Sequence, residues 1–258
     1  MLKQSVAEGP TYHLRLFRTG ICRVKGRYAY RTHGKDQDHA FTIYIGVIQG
    51  NGITALIDTG MESVDEMNRG AGFLLTELIT QEPDEDTVSI LVRAGIEPAD
   101  VDYVVLTHCH YDHCSMLSIF TNATAVIPEH AWQLWHDDPE STVYLHDGFL
   151  DHLEARHAAG KLLTAPDGVV VPGLGVRWVG GHSPCSQFVY VNTDKGVVVD
   201  TGDTVQLHGN LEYDDTIGIW VDEAECRRAL EIARTDPDIV LPGHDPTLLD
   251  RYPDGVVA

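Results

Sequence analysis

The strongest constraint on this chain is a seven-residue stretch. An apolar run from Val101 to Leu106 ends in Thr107-His-Cys-His-Tyr-Asp-His113. Imidazole nitrogens and carboxylate oxygens are good ligands for zinc and its neighbours. At the end of an extended strand, His108 and His110 lie on the same side. Asp112 and His113 follow within one turn and can face the same hollow from another direction. One short loop can therefore serve two adjacent metals, but alone it cannot fill two coordination spheres. Further ligands must come from distant parts of the chain.

Three positions answer that demand. His182 follows Val179-Gly-Gly181, Asp203 sits in Asp200-Thr-Gly-Asp-Thr204, and His244 sits in Pro242-Gly-His-Asp245. Each is flanked by glycine at the end of an apolar run. Groups on loops held by a rigid sheet are where binding and catalysis concentrate.

The intervening pattern predicts strands first, then helices, then strands, then a closing helix-strand pair. Tyr12 to Tyr30 alternates apolar and polar residues with a glycine break, which suits antiparallel strands. Phe41 to Ile48 and Ile53 to Ile57 read as strands joined by the Asn51-Gly52 turn. Met61 to Pro83, with two glycines, reads as a loop with a short helix. Asp86 is placed to cap a helix that runs to Ala94 and stops at Gly95. Helical signals dominate from Glu129 to Gly160. Val169 to Val179 and Gln187 to Val199 read as strand pairs, Glu223 to Arg234 as an amphipathic helix, and Ile239 to Leu241 as a last strand.

Charge narrows the partners. At a formal net charge of -21 the chain repels phosphate backbones and anionic membranes, so neither nucleic acid nor a membrane is expected as a partner. The five cysteines are odd in number and form no CxxC pair, which argues for a reducing compartment. The first ten residues lack an apolar signal core, and no apolar run approaches the roughly 20 residues of a membrane span. The expected location is the cytoplasm.

His108-Cys-His-Tyr-Asp-His113, followed by His182, Asp203 and His244, resembles the signature of the metallo-β-lactamase superfamily. The resemblance covers the chain from about Phe41 to Pro253. It implies an α/β fold, an αβ/βα four-layer sandwich with metals at one edge of two sheets. The whole chain, residues 1–258, then forms a single metallo-hydrolase domain, with residues 129–160 as a possible helical cap. Carried over, His108, His110 and His182 bind one metal; Asp112, His113 and His244 bind a second; Asp203 bridges both. Asp58 and Thr107 stand behind these ligands and orient them. The cofactors implied are two divalent ions, zinc by default, with iron, manganese or cobalt as alternatives.

Two cations sharing a water lower its pKa and supply hydroxide near neutral pH. The expected chemistry is therefore hydrolysis of a small molecule, with Asp112 passing the proton. Leu56-Ile-Asp-Thr-Gly60, Gly181-His-Ser-Pro-Cys-Ser-Gln187 and Pro242-Gly-His-Asp-Pro246 are closest in look to N-acyl homoserine lactonases and related ring-opening hydrolases. That group usually carries Gly and His where this chain has Cys185 and Ser186. It also carries a Tyr three residues after the bridging Asp, where this chain has Gln206. Gln206 and Cys185 are thus expected to face substrate, and His208 to take a catalytic part. A glyoxalase II-like thioester hydrolase and a non-hydrolytic, oxygen-handling metal protein are the alternatives. A homodimer is possible.

Overall fold

The computed structural model describes residues 2–258. Its strands are β1 (His13–Lys25), β2 (Asp38–Gly50), β3 (Ile53–Ile57), β4 (Leu75–Thr80), β5 (Tyr103–Val105), β6 (Thr124–Pro128), β7 (Leu162–Ala165), β8 (Gly168–Val171), β9 (Leu174–Trp178), β10 (Gln187–Thr193), β11 (Gly196–Asp200) and β12 (Ile239–Leu241). They form two sheets, in the orders β4-β1-β2-β3-β5-β6-β7 and β12-β11-β10-β9-β8. In the larger sheet β3, β5, β6 and β7 run parallel, and β4, β1, β2 and β3 pair antiparallel. In the smaller sheet only the β11–β12 pair is parallel.

The period-two alternation of strand side chains builds the layers. Tyr44, Ile48, Ala55, Ile57, Val105 and Val126 point inward, against Val176, Val189, Val191, Val198 and Leu241 of the other sheet. Their neighbours Ile45, Val47, Leu56, Val104 and Ala125 point outward. The helices Thr87–Ala94, Glu129–Asp137 and Phe149–Ala158 cover that face through Ile90, Leu91, Trp135, Phe149 and Leu153. On the far side, Phe188, Tyr190, Val197 and Val199 receive Ala229, Leu230 and Ala233 of the helix Glu223–Thr235. Helix, sheet, sheet and helix stack in that order, as the αβ/βα reading requires.

Three segments differ from the sequence reading. Tyr12 to Tyr30 contains one long strand, with its register shifted between Arg18 and Gly20, then a helical turn at Gly26–Ala29. Met61 to Pro83 holds the helix Val64–Ala71 and also the edge strand β4, whose Leu78 is 60% exposed and so breaks the buried alternation that marks a strand. The helical stretch from Glu129 to Gly160 is two helices separated by turns. Within the stretch expected as a cap, Phe149 and Leu153 pack into the core under the larger sheet, whereas Val143 is exposed.

The parallel pairs matter for the site, because their C-terminal ends gather at one edge. Asp58 follows β3, Thr107 follows β5, Asp203 follows β11 and His244 follows β12. The Gln187 amide bonds the Thr107 carbonyl at 2.8 Å and so ties the two sheets together there. Glycine permits the approach: a Cβ on Gly243 would lie 2.5 Å from the Gly202 carbonyl oxygen.

Candidate metal centre

Two groups of side chains converge where these loops meet. In the first, His110 Nδ1 lies 2.9 Å from both His108 Nε2 and His182 Nε2. In the second, Asp203 Oδ1 lies 2.9 Å from His244 Nε2 and 3.2 Å from His113 Nε2. Asp112 Oδ2 is 3.3 Å from His113 Nε2 and 3.9 Å from His244 Nε2. The other oxygen of Asp203, Oδ2, is 3.6 Å from His182 Nε2, so one carboxylate spans both groups. All seven residues expected as metal ligands are thus brought together.

The rings are held from behind. His113 Nδ1 meets Asp58 Oδ2 at 2.8 Å. Asp58 in turn accepts the Thr107 amide and hydroxyl, both at 2.7 Å. Thr107 Oγ1 also lies 3.2 Å from His108 Nδ1. Asp58 takes this position at φ 59°, in the left-handed region that aspartate tolerates better than most residues. Two backbone carbonyls complete the set: Ile219 for His182 Nδ1 at 3.1 Å, and Thr42 for His244 Nδ1 at 3.0 Å. Such partners fix which ring nitrogen points forward and make it the better ligand. Main-chain acceptors carry no side-chain signal, so Thr42 and Ile219 could not be found from sequence. Phe41, stacked on His244, and Tyr144, edge-on to His110, were missed because they read as strand and cap residues.

Electrostatics divide the two groups. Burial, together with the nearby His182, pushes His110 down to about 3. Burial also lowers His108 and His182, with His113 adding repulsion at both, and His108 falls further. Burial works the same way on His113 and His244, but carboxylates outweigh it there. Asp112, Asp58 and Asp203 raise His113, and Asp203 raises His244. Burial disfavours ionisation of Asp203, yet His244 and His113 hold it well below the usual carboxylate range.

These residues fit the two-cation demand on structural grounds. His108, His110 and His182 offer three nitrogens to one point. Asp112, His113 and His244 offer a second set, with His108, His113 and Asp203 between them, each set within 4.8 Å. His113 Nε2 and Asp203 Oδ1 are buried without a hydrogen-bond partner of good geometry. Buried polar atoms are rarely left so. A cation between them satisfies both.

The remaining expected residues are placed differently. Gln206 is buried beside Asp203, its Nε2 3.4 Å from Asp203 Oδ2 and its Oε1 unpartnered. Cys185 is fully buried in the core under the larger sheet, and its Sγ accepts the Cys109 amide at 3.2 Å. His208, expected to be catalytic, is not brought into the ligand group. Its Nδ1 is held by Asp245 Oδ2 at 2.7 Å. It lines a separate cavity of about 490 Å³ with Tyr30, His33, His39 and Tyr213. The hydroxyl of Thr247 pins the same carboxylate from its other oxygen, so the Asp245 loop draws His208 aside.

Comparison with known proteins agrees with this architecture. N-acyl homoserine lactonase AiiA of Bacillus thuringiensis subsp. kurstaki is 28% identical over 198 residues, covering 74% of this chain and 76% of that one. The solved N-acyl homoserine lactone hydrolase with N-hexanoyl-L-homoserine at its catalytic metal centre superposes with a TM-score of 0.77 at 23% identity, over 94% of this chain and 97% of that one. AidC, a dizinc quorum-quenching lactonase, gives 0.63 at 15% identity, over 92% and 89%. The metallo-beta-lactamase superfamily model matches residues 40–244, which contain all seven converging residues. The chain belongs to the metallo-β-lactamase superfamily.

Proposed function

We propose that this metal-dependent hydrolase opens the ring of a lactone that carries an acyl chain, of the N-acyl homoserine lactone kind. The observation that carries the reading is the shared carboxylate of Asp203, which touches His182 on one side and His113 and His244 on the other. The names of the relatives point to lactones. Phe41, stacked on His244, belongs to a buried apolar cluster that backs the second group. The cluster also holds Met61, Leu75, Ile79 and Leu207, with Met67 and Leu74 packed against them.

His108, His110 and His182 would hold one divalent ion, and Asp112, His113 and His244 the other, with Asp203 between. Bound there, two ions supply Lewis acidity: they lower the pKa of a water and polarise an ester carbonyl. The chain's own part is positional and protonic. Asp58 and the carbonyls of Thr42 and Ile219 keep the rings turned forward. Asp112, kept ionised by His113 although burial opposes it, accepts the proton of the attacking water at Oδ2. It then returns that proton to the departing ring oxygen. Gln206 offers the carboxamide that meets the substrate where lactonases of this look carry Tyr.

Zinc is our reading of the metal, since imidazole-rich sites suit it. The cytoplasm is our reading of the location, supported by five free cysteines. A small molecule is the partner, without nucleic acid or membrane, and among the described residues no helix is long and apolar enough to cross one. A homodimer is compatible with these features. The test is proton release by zinc-loaded protein on a panel of lactones, linear esters, amides and thioesters. Turnover should be greatest on N-acyl homoserine lactones and lost in Asp112→Asn. A preference for thioesters would move the reading to the glyoxalase II-like alternative. No turnover of any member would overturn hydrolysis.

A further inference from the structure

Hydrolysis as derived above leaves His208 without a part, yet its surroundings are built. Asp245 directly follows the ligand His244 and is buried. Four bonds end on its two carboxylate oxygens. Oδ2 accepts from the His208 amide and from His208 Nδ1, both at 2.7 Å. Oδ1 accepts from the Thr247 amide at 2.8 Å and from the Thr247 hydroxyl at 2.6 Å. A carboxylate only accepts, so His208 Nδ1 carries the proton of its bond. Main-chain bonds run beside this one. The Gly243 amide donates to the Val205 carbonyl and the His244 amide to the Gln206 carbonyl, both at 3.0 Å. The segment that carries Gln206 is thus laced to the loop that carries His244, and the His208 ring adds the side-chain stitch.

The His208 side of that seam is anchored independently. Asn210 is fully buried, and its Oδ1 accepts the Leu207 amide at 2.9 Å. Its Nδ2 donates to the carbonyls of Ala29 at 3.0 Å and Asp215 at 3.1 Å. Packing alone does not account for the imidazole. The side chain is 17% exposed and lines the cavity of about 490 Å³ instead of filling the core. Its bond to Asp245 gives it a direction and gives the carboxylate a fixed post.

We propose that His208 is a positioning residue for the second metal: its Nδ1–H holds Asp245, and through Asp245 the His244 ring, in place beside Asp203. Without that bond, Oδ2 keeps only the main-chain amide of His208, and the peptide between His244 and Asp245 gains freedom. The His244 ring keeps its stack on Phe41 and its bond to the Thr42 carbonyl, but its approach to Asp203 at 2.9 Å is less closely set. Removing the direct outer partner of a ligand costs about 10–100-fold in metal affinity, and His208 stands one link further out, so about 10-fold is expected. The first group hangs on other loops and should keep its affinity. This rests on the reading of His244 and Asp203 as ligands, not on the substrate assigned above.

The experiment titrates zinc into the full chain by calorimetry, with thermal melting recorded for each variant. His208→Leu keeps bulk and donates nothing. His208→Asn places an amide N–H where Nδ1 stood. Tyr213→Ala trims another wall of the same cavity and does not touch the Asp245 carboxylate. The second zinc should weaken about 10-fold in His208→Leu while the first is unchanged. His208→Asn should restore the second zinc, and Tyr213→Ala should leave both as in wild type. Should the leucine variant melt before it can be titrated, His208→Ala takes its place. Unchanged zinc binding in His208→Leu overturns the proposal. So does equal weakening of both zincs, a failure of His208→Asn to restore the second, or the same loss in Tyr213→Ala, since each is what a packing role produces. Wild-type protein that binds no second zinc overturns the ligand reading, and this role of His208 with it.

Discussion

His108, His110 and His182 contain no carboxylate among them, while Asp112, His113 and His244 sit around one and share Asp203. The first group is neutral when buried, because burial and mutual repulsion keep protons off its rings. The second is compensated internally: its carboxylates outweigh burial and raise His113 and His244. The same residue type, imidazole, is thus prepared in two ways within one pocket. The first group is ready to receive a cation directly. The second must exchange protons for it. Their supports differ too. His182 and His244 each lean on a backbone carbonyl, whereas only the second group has a ring, His113, held by a carboxylate, Asp58, itself pinned by two bonds from Thr107.

The change with the largest effect removes what the two groups share. Asp203→Ala takes a ligand from both and removes the largest counter-charge beside His244. Metal binding should fall at both positions by more than the about 10–100-fold that an outer partner costs, and hydrolysis should fall with it. Zinc titration by calorimetry checks this. If one zinc still binds with its original affinity, Asp203 belongs to one group only. Asp58→Ala comes next and should separate the groups. It frees the His113 ring and should weaken the second zinc about 10–100-fold while sparing the first. Equal weakening of both would mean that Asp58 acts through the Thr107 backbone and not through His113.

Protons supply the third test. A ligand that is protonated before binding must release its proton. His108, His110 and His182 have folded pKa values below the ordinary imidazole value, so they are already deprotonated near neutral pH. His113 and His244 are raised, so they keep protons to higher pH than the first group does and lose affinity as pH falls. Calorimetry in buffers of different ionisation enthalpy should find no proton released with the first zinc and proton release with the second. On acidification in the presence of a chelator, one zinc should leave at a higher pH than the other. Simultaneous departure would erase the distinction drawn from burial and charge.

Much of this was legible in the sequence because ligands are chemically conspicuous. Three imidazoles and a carboxylate between His108 and His113 announce themselves, and glycine beside His182, Asp203 and His244 marks close backbone approach. The four layers follow from strands that alternate faces, and β3 and β12 match their apolar runs end to end. What escaped the sequence was orientation. His208 looked available, being two residues beyond Gln206, but Asp245 turns it toward another cavity. Cys185 looked like a substrate contact because it stands where relatives carry glycine, but its side chain points into the core. Edge strand β4 escaped because its three central side chains are exposed. In each case a partner distant in sequence decides the direction of the side chain.

The smallest expected effect calibrates the others. Asp86 caps the helix Thr87–Ala94, accepting the Ser89 amide at 2.9 Å through Oδ1 and the Ser89 hydroxyl through Oδ2. Burial acts to raise the pKa of this carboxyl, but the bonds it accepts, chiefly from Ser89, outweigh burial and lower it in the folded state. A depressed carboxyl contributes stability above its unfolded pKa and loses that contribution as pH falls through the folded one. Asp86→Ala should therefore cost about 0.5–2 kcal/mol near neutral pH, with the difference from wild type shrinking in acid. The helix covers the larger sheet's outer face through Ile90 and Leu91, and Thr87 Oγ1 bonds the Thr59 carbonyl at 2.6 Å, next to Asp58. That contact is a direct route by which a cap defect can reach the metal centre. If the centre is set locally by carboxylates and ring partners, thermal melting should drop while both zinc affinities and both proton counts stay as in wild type. A selective loss of the second zinc in Asp86→Ala would show that the Asp58 turn, and with it the contrast between the two groups, depends on the packing of this helix.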